Sequence, residues 1–154
     1  MGVEEVKLAL ALVRTDERAD IGSGVSDQAI AAAEDYLGLR FPTSYREFVS
    51  AVGWCSIGGR DFYGVTRDGV AATSIPSVVF ATRSEREDGG LPAGLIFVED
   101  SGGDEKFVLD TRELNAEGDA PVKAWTPASD AASLEILAPD FGSYLLKATK
   151  RLSE

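Results

Sequence analysis

The spacing of apolar residues predicts two amphipathic helices at the start of the chain. Over residues 3–17 the apolar positions fall on one helical face, and the stripe ends between Arg14 and Glu17. Ser26 is the expected N-cap of a second helix, and Gly38 is its expected C-terminal stop. The buried stripe of the second helix is expected to contain Ile30, Ala33 and Leu37.

A third helix is predicted to begin after Pro42 and to end at Gly53. Thr43 or Ser44 is the expected N-cap, and a glutamate three residues after Ser44 completes the pattern of a capping box. Trp54 follows the helix at once. A large aromatic residue in this position favours the core over a ligand platform, and an exposed Trp54 would be a candidate binding residue.

From residue 55 onward, glycines and β-forming residues become frequent. Short strands at 56–59 and 61–66 are expected to form a hairpin. Residues 77–88 are predicted to be a helix, and the valines at 78 and 79 leave a strand as the alternative. A later strand is predicted over 121–125, after a polar loop. The last helix is marked by an apolar stripe of Phe141, Leu145, Ala148 and Leu152.

The central stretch, residues 95–110, has the pattern of a β-hairpin. Leu95–Val98 is apolar without a break, which fits a strand covered on both faces. The strand over 105–110 alternates, which predicts one wetter face, and a Gly-Gly pair between the strands predicts the turn. The wetter face is expected to carry Lys106, Val108 and Asp110.

Four acidic residues surround this predicted turn. One interpretation is a solvated acidic turn, because turns recruit Asp and Gly freely. The other interpretation is a negatively charged docking edge. The four residues are Glu99, Asp100, Asp104 and Glu105.

The order of elements, with helices first, then strands and a closing helix, predicts an α+β fold in which several helices pack against a largely antiparallel sheet. The chain has 154 residues, which suits a single domain over 1–154 with a sizeable core. We find no internal repeat and no linker long enough to separate two domains.

The charge of the chain narrows the class of partner. Its 26 acidic and 15 basic residues give a net charge of -11. Nucleic acids and anionic membranes are bound by positive surfaces, so neither is an expected partner. The acidity favours a basic macromolecule as the partner, because complementary electrostatic fields steer the two molecules together. The other interpretation is that the acidic residues only keep the protein soluble.

The residue types present leave little for catalysis. The chain has no histidine, which removes the usual general base and zinc ligand, and Cys55 has no histidine to activate it. A single cysteine excludes an intrachain disulfide and suits a reducing compartment. No stretch is long enough to span a bilayer, and the acidic N-terminus does not resemble a signal peptide. We therefore expect a cytoplasmic protein with no cofactor.

The sequence from residue 26 to 152 resembles the SUKH superfamily, which includes Smi/Knr-type fungal cell-wall regulators and bacterial immunity proteins. Glu34, Leu37-Gly38 and Phe41-Pro42 match the opening pattern, followed by Tyr45 and Phe48. The stretch 91–111 resembles the family's strand, Gly-Asp turn and strand, and the closing strand and helix are also similar. The sequence departs from the family at Gly53-Trp54, where Asn-Gly is common.

This resemblance implies a mixed sheet with helices against it and a role without catalysis. Bacterial members of this kind are immunity proteins that neutralise a cognate toxin, often a nuclease. The resulting hypothesis is binding of a basic toxin domain; the alternatives are a regulatory protein-binding module or, less favoured, a metal-dependent or small-ligand enzyme. The oligomeric state stays open. The expected partner-binding residues are Trp54, Asp61, Tyr63, Glu99, Asp100, Asp104 and Glu105.

Overall fold

The structure is a computed structural model that describes residues 2–152. Within that range the chain forms two antiparallel sheets and a set of helices, and one apolar core joins them. The helices are α1 (Val3–Arg14), α2 (Asp27–Leu37), α3 (Thr43–Val52), α4 (Val78–Gly89) and α5 (Phe141–Leu152). A short 3₁₀ turn lies at Gly69–Ala71.

The strands divide between the two sheets in chain order. The first sheet has three strands and the second has four, and both are antiparallel throughout. The Tyr63 amide donates to the Val98 carbonyl at 2.8 Å and links the sheets. The strands are β1 (Asp20–Ile21), β2 (Cys55–Ile57), β3 (Arg60–Phe62), β4 (Leu95–Asp100), β5 (Lys106–Asp110), β6 (Val122–Trp125) and β7 (Glu135–Ala138).

The α+β class predicted from the sequence is confirmed. The helix reading of residues 77–88 is correct, and Ser77 caps α4 by accepting a hydrogen bond from the Phe80 amide. Ser26 caps α2 in the same way through the Ala29 amide. A single mixed sheet was expected, but the strands form two separate sheets. The parallel pairing that the structure shows is one isolated bridge between Gly64 and Ser77, outside the named strands.

The predicted capping of α3 is wrong. The N-cap is Pro42, whose side chain has no hydrogen-bond acceptor to cap the helix. Ser44 is buried, and both its amide and its hydroxyl donate to Asp119 Oδ1, at 2.9 and 2.8 Å. A carboxylate distant in sequence therefore satisfies the helix start, which a local pattern cannot show.

Two further details of the strand predictions need correction. The face of β5 expected to be wetter is largely buried: Val108 and Asp110 are both fully buried. Asp110 tolerates that position because it accepts hydrogen bonds from Arg112 and Lys123. Strands β1 and β7 lie in segments that the sequence pattern assigned to loops.

The core brings α5 and α3 against one another around Phe141. This residue is fully buried, and its ring lies 4.9 Å from the Tyr45 ring and 5.0 Å from the Phe48 ring, centroid to centroid. Cys55 is also fully buried, and burial raises the pKa of its thiol to about 12.

Candidate interaction surface

The turn between β4 and β5 is held by its own hydrogen bonds. Asp100 Oδ1 accepts from the Gly102 amide at 2.9 Å. The Ser101 hydroxyl donates to the Glu105 carbonyl at 2.7 Å and accepts from the Gly103 amide at 3.1 Å. Gly102 has a φ of 89°, which an L residue rarely adopts, so one of the two glycines supplies the predicted positive φ.

This turn presents three carboxylates to solvent, and we call Asp100, Asp104 and Glu105 the acidic turn. All three residues are exposed. Asp100 lies 3.5 Å from Lys106 Nζ, whereas Asp104 and Glu105 form no ion pair within residues 2–152. Hydrogen bonds hold the backbone of the turn, while the carboxylates of Asp104 and Glu105 belong to exposed residues. The arrangement suits attraction of a cationic surface at little conformational cost.

Glu99 does not belong to this exposed group, contrary to the expectation from the sequence. It is 2 % exposed, because β4 contains a bulge between Phe97 and Glu99. Phe97 is paired with Val108 and Glu99 with Phe107, so Val98 is the extra residue and the side chain of Glu99 changes face. The carboxylate therefore points under α5.

Beneath α5, Glu99 is held by two partners. The Arg60 guanidinium donates to both carboxylate oxygens, at 2.7 and 2.8 Å, and the Tyr144 hydroxyl donates to Oε1. Arg60 also donates to the Tyr144 hydroxyl at 3.2 Å. Burial, together with the neighbouring Glu99 charge, raises the pKa of Tyr144. Both carboxylate oxygens of Glu99 are paired, and the cluster is a structural tie between β3, β4 and α5.

Sequence reasoning missed Arg60 and Tyr144. Arg60 stands 39 positions from Glu99, and no local pattern relates the two. Tyr144 carried a usable signal, because it lies three residues after Phe141 on the predicted apolar face of α5.

The other expected binding residues have separate environments. Tyr63, one of the expected partner-binding residues, is only 3 % exposed, so its side chain has little surface to offer a partner. Burial, with the nearby charges of Asp100, Asp61 and Glu99, raises its pKa to about 12. Asp61 is half-buried and accepts a hydrogen bond from the Ser56 hydroxyl at 2.6 Å.

Trp54 is half-buried in a different part of the surface. It lines a groove of about 490 Å³ together with the Gly22–Ser26 segment and Val65–Arg67. No residue of the acidic turn lines that groove. The structure thus keeps Asp100, Asp104 and Glu105 together, and it places Trp54 apart from them.

The acidic turn extends towards α4. Asp104 and Glu85 both line a shallow hollow of about 370 Å³, with Lys106 and the Thr126–Ala128 segment. Glu85 was not singled out from the sequence. Among residues 2–152, no group of three or more Cys, Asp or Glu side chains is placed to hold a metal ion. No helix in the same range is long and apolar enough to cross a membrane.

The fold and this surface define a small α+β domain of two antiparallel sheets and packed helices, with an internally hydrogen-bonded acidic turn at one sheet end. A family sequence model described as SMI1-KNR4 cell-wall matches residues 6–150. The chain belongs to this family of the SUKH superfamily, which includes immunity proteins. A comparison with curated proteins finds no match to the chain. The family match begins within α1, upstream of the resemblance noted at residue 26.

Proposed function

We propose that the protein is an immunity-type binding protein that neutralises a cognate toxin domain of basic character in the cytoplasm. Family membership supports the binding role, because the superfamily includes immunity proteins. The observation that carries the proposal is the acidic turn: a backbone fixed by its own hydrogen bonds and exposed carboxylates on a chain of net charge -11. The role assigned is occlusion of another macromolecule, without a catalytic step.

The electrostatic argument links the turn to a toxin that acts on nucleic acid. A domain that grips phosphates is rich in Lys and Arg, and an acidic inhibitor attracts it over a distance set by ionic strength. Opposed charges mainly increase the association rate, by factors of 10 or more at low salt. The same charges disfavour binding of the inhibitor to nucleic acid itself.

A test uses charge reversal at the two carboxylates that have no ion pair. Asp104→Lys combined with Glu105→Lys is preferred to a change at Asp100, because Asp100 also holds the turn. The partner used is a candidate toxin domain encoded by a neighbouring gene. We expect the association rate, measured by surface plasmon resonance at low salt, to fall about 10-fold, and the difference to shrink at high salt.

The matched control carries the same charge change elsewhere. Asp35 on α2 and Asp68 before the 3₁₀ turn are both exposed, and Asp35→Lys with Asp68→Lys should leave most of the rate intact. Equal low-salt rates for the turn variant and the unchanged protein would remove the acidic turn from the proposed interface. Growth rescue on co-expression with the toxin tests the immunity role itself.

The alternative function is a regulatory module that binds a cellular protein other than a toxin. The family description, which refers to the cell wall, favours this alternative. Gene neighbourhood separates the two: a neighbouring gene for a large secreted protein with a toxin-like C-terminal domain supports immunity. A solitary gene, together with a stable complex recovered with a cellular protein, supports the regulatory module.

A further inference from the structure

A small cleft of about 280 Å³ opens between α5 and the sheet face that α5 covers. Its apolar lining includes Phe107 on β5 and Leu137 on β7. From α5 come Ala148 and the ring of Tyr144, which lies 6.2 Å from the Phe107 ring, centroid to centroid. The apolar part is open to solvent on one side, since Phe107 and Leu137 are only half-buried.

The rim of the cleft is basic, which is unusual on so acidic a chain. Lys147 and Arg151 stand one turn apart on α5, both are exposed, and neither side chain forms an ion pair or hydrogen bond with residues 2–152. Arg60 uses Nε and Nη2 for Glu99 and Tyr144, and its Nη1 has no hydrogen-bond partner in the same range. Glu105 is the acidic residue at the rim.

The balance of these charges favours a monoanion. Because the buried Glu99 compensates Arg60, two uncommitted cations face one carboxylate across the cleft. A doubly charged phosphate would meet Glu105 with nothing more to offset the repulsion, and it would leave the apolar lining unused. A carboxylate attached to an apolar body uses both parts of the cleft.

We infer that this cleft binds a small carboxylate joined to an aromatic or branched aliphatic body. The carboxylate lies between Lys147 and Arg151 and receives charge-assisted hydrogen bonds from them. The apolar body packs on Phe107, Leu137 and Ala148. The volume suits a group of side-chain size. Two sources offer this chemistry: a free carboxylic acid, and the C-terminal carboxylate of a peptide that ends in an apolar residue.

The test is a titration of the whole isotope-labelled protein with phenylacetate, followed by amide NMR shifts. We expect saturable shifts over 144–151 and around Phe107, with a dissociation constant of about 1 to 10 mM for so small a ligand. Phenylacetamide, neutral and of the same shape, and phenethylamine, a cation, should each bind at least about 10-fold more weakly. Absence of shifts in α5 at about 20 mM phenylacetate, or equal shifts with the amide, overturns the inference.

Variants at exposed positions locate the carboxylate. Lys147→Gln with Arg151→Gln should weaken phenylacetate binding by about 10-fold or more, without affecting the fold. The matched control, Lys7→Gln with Arg40→Gln, makes the same charge change at exposed positions outside the cleft. Equal affinity of the cleft variant and the unchanged protein contradicts the assignment.

A final experiment distinguishes a free carboxylic acid from a peptide C-terminus as the ligand. Short peptides ending in Leu-Phe are compared with a free and with an amidated C-terminus. A free-acid peptide that binds at least about 10-fold more tightly than phenylacetate, with the amidated form weak, assigns the cleft to a peptide C-terminus. A peptide no tighter than phenylacetate assigns it to a free acid. Either result supports the cleft as a carboxylate site, and neither result depends on the toxin binding proposed for the acidic turn.

Discussion

Glu99 reaches the interior because Val98 adds one residue to β4. Without the bulge, Glu99 would share the face of Phe97, and the Arg60 guanidinium would have no carboxylate to meet. The bulge thus converts a residue at the edge of an acidic loop into the centre of a hydrogen-bonded cluster. The neighbouring Asp100, one residue later, stays exposed and functions as part of the turn.

Removal of this carboxylate is expected to be costly. Glu99→Ala leaves Arg60 and the Tyr144 hydroxyl without their acceptor, and breaking a buried ion pair costs about 3 to 5 kcal/mol. Because the Arg60 side chain is 28 % exposed and can recover some water, we expect a loss of about 2 to 4 kcal/mol in the free energy of unfolding, measured with urea.

The control for this prediction is Glu105→Ala in the exposed turn. It should change the free energy of unfolding by no more than about 0.5 kcal/mol. If the two substitutions have equal small effects, the paired cluster contributes nothing measurable and the proposed structural role of Glu99 is wrong.

At the scale of elements, α5 organises both the core and the cleft. One side of the helix carries Phe141, which packs on Tyr45 and Phe48 of α3, and another side carries the basic rim. The last turn also holds Lys150 and Arg151, which complement the helix dipole. A single amphipathic helix therefore anchors the fold and supplies the proposed carboxylate site.

Phe141→Ala tests the packing of α5. The side chain is fully buried among aromatic rings, so truncation should lower the free energy of unfolding by about 3 to 5 kcal/mol. Leu114→Ala, at a position 52 % exposed, is the comparison and should have little effect. A loss near zero at Phe141 would mean that the helix does not pack as described.

The elements that sequence pattern predicts well are those with a strong local signature. Helices α2 and α4 have apolar stripes with serine caps, and β4 has an unbroken apolar run. The features missed depend on distant partners. Strand β7 exists through pairing with β6 although Glu135 and Ile136 are exposed, and α3 is capped by Asp119. The exposed position of Asp100, Asp104 and Glu105 at the turn could be predicted because a turn depends on local sequence alone.

At the scale of the whole molecule, charge is unevenly distributed around the β4–β5 hairpin. Asp104 lines a hollow shared with Glu85, whereas Glu105 lines the cleft with the basic rim. The turn therefore separates an acidic region from a basic one on a chain with net charge -11.

The stability of the molecule in acid should depend on two buried carboxyl groups, Asp110 and Asp119, whose pKa values are shifted in opposite directions. Burial alone would raise the pKa of Asp110, but hydrogen bonds from Arg112 and Lys123 outweigh it and lower that pKa to about 2. This contribution is fully present above the unfolded pKa, about 3.9, and is lost as pH falls through about 2. Burial raises the pKa of Asp119, so protonation of Asp119 stabilises the fold as pH falls.

The two contributions can be separated by urea unfolding between pH 5 and pH 2. Asp110→Asn should reduce, by about 1 to 2 kcal/mol, the decrease in the free energy of unfolding between pH 5 and pH 2. Asp119→Asn should make that decrease larger, because the protonation of Asp119 that partly offsets it is gone. A steeper slope for the Asp110 variant would show that burial, and not its pairing with Arg112 and Lys123, controls that carboxyl.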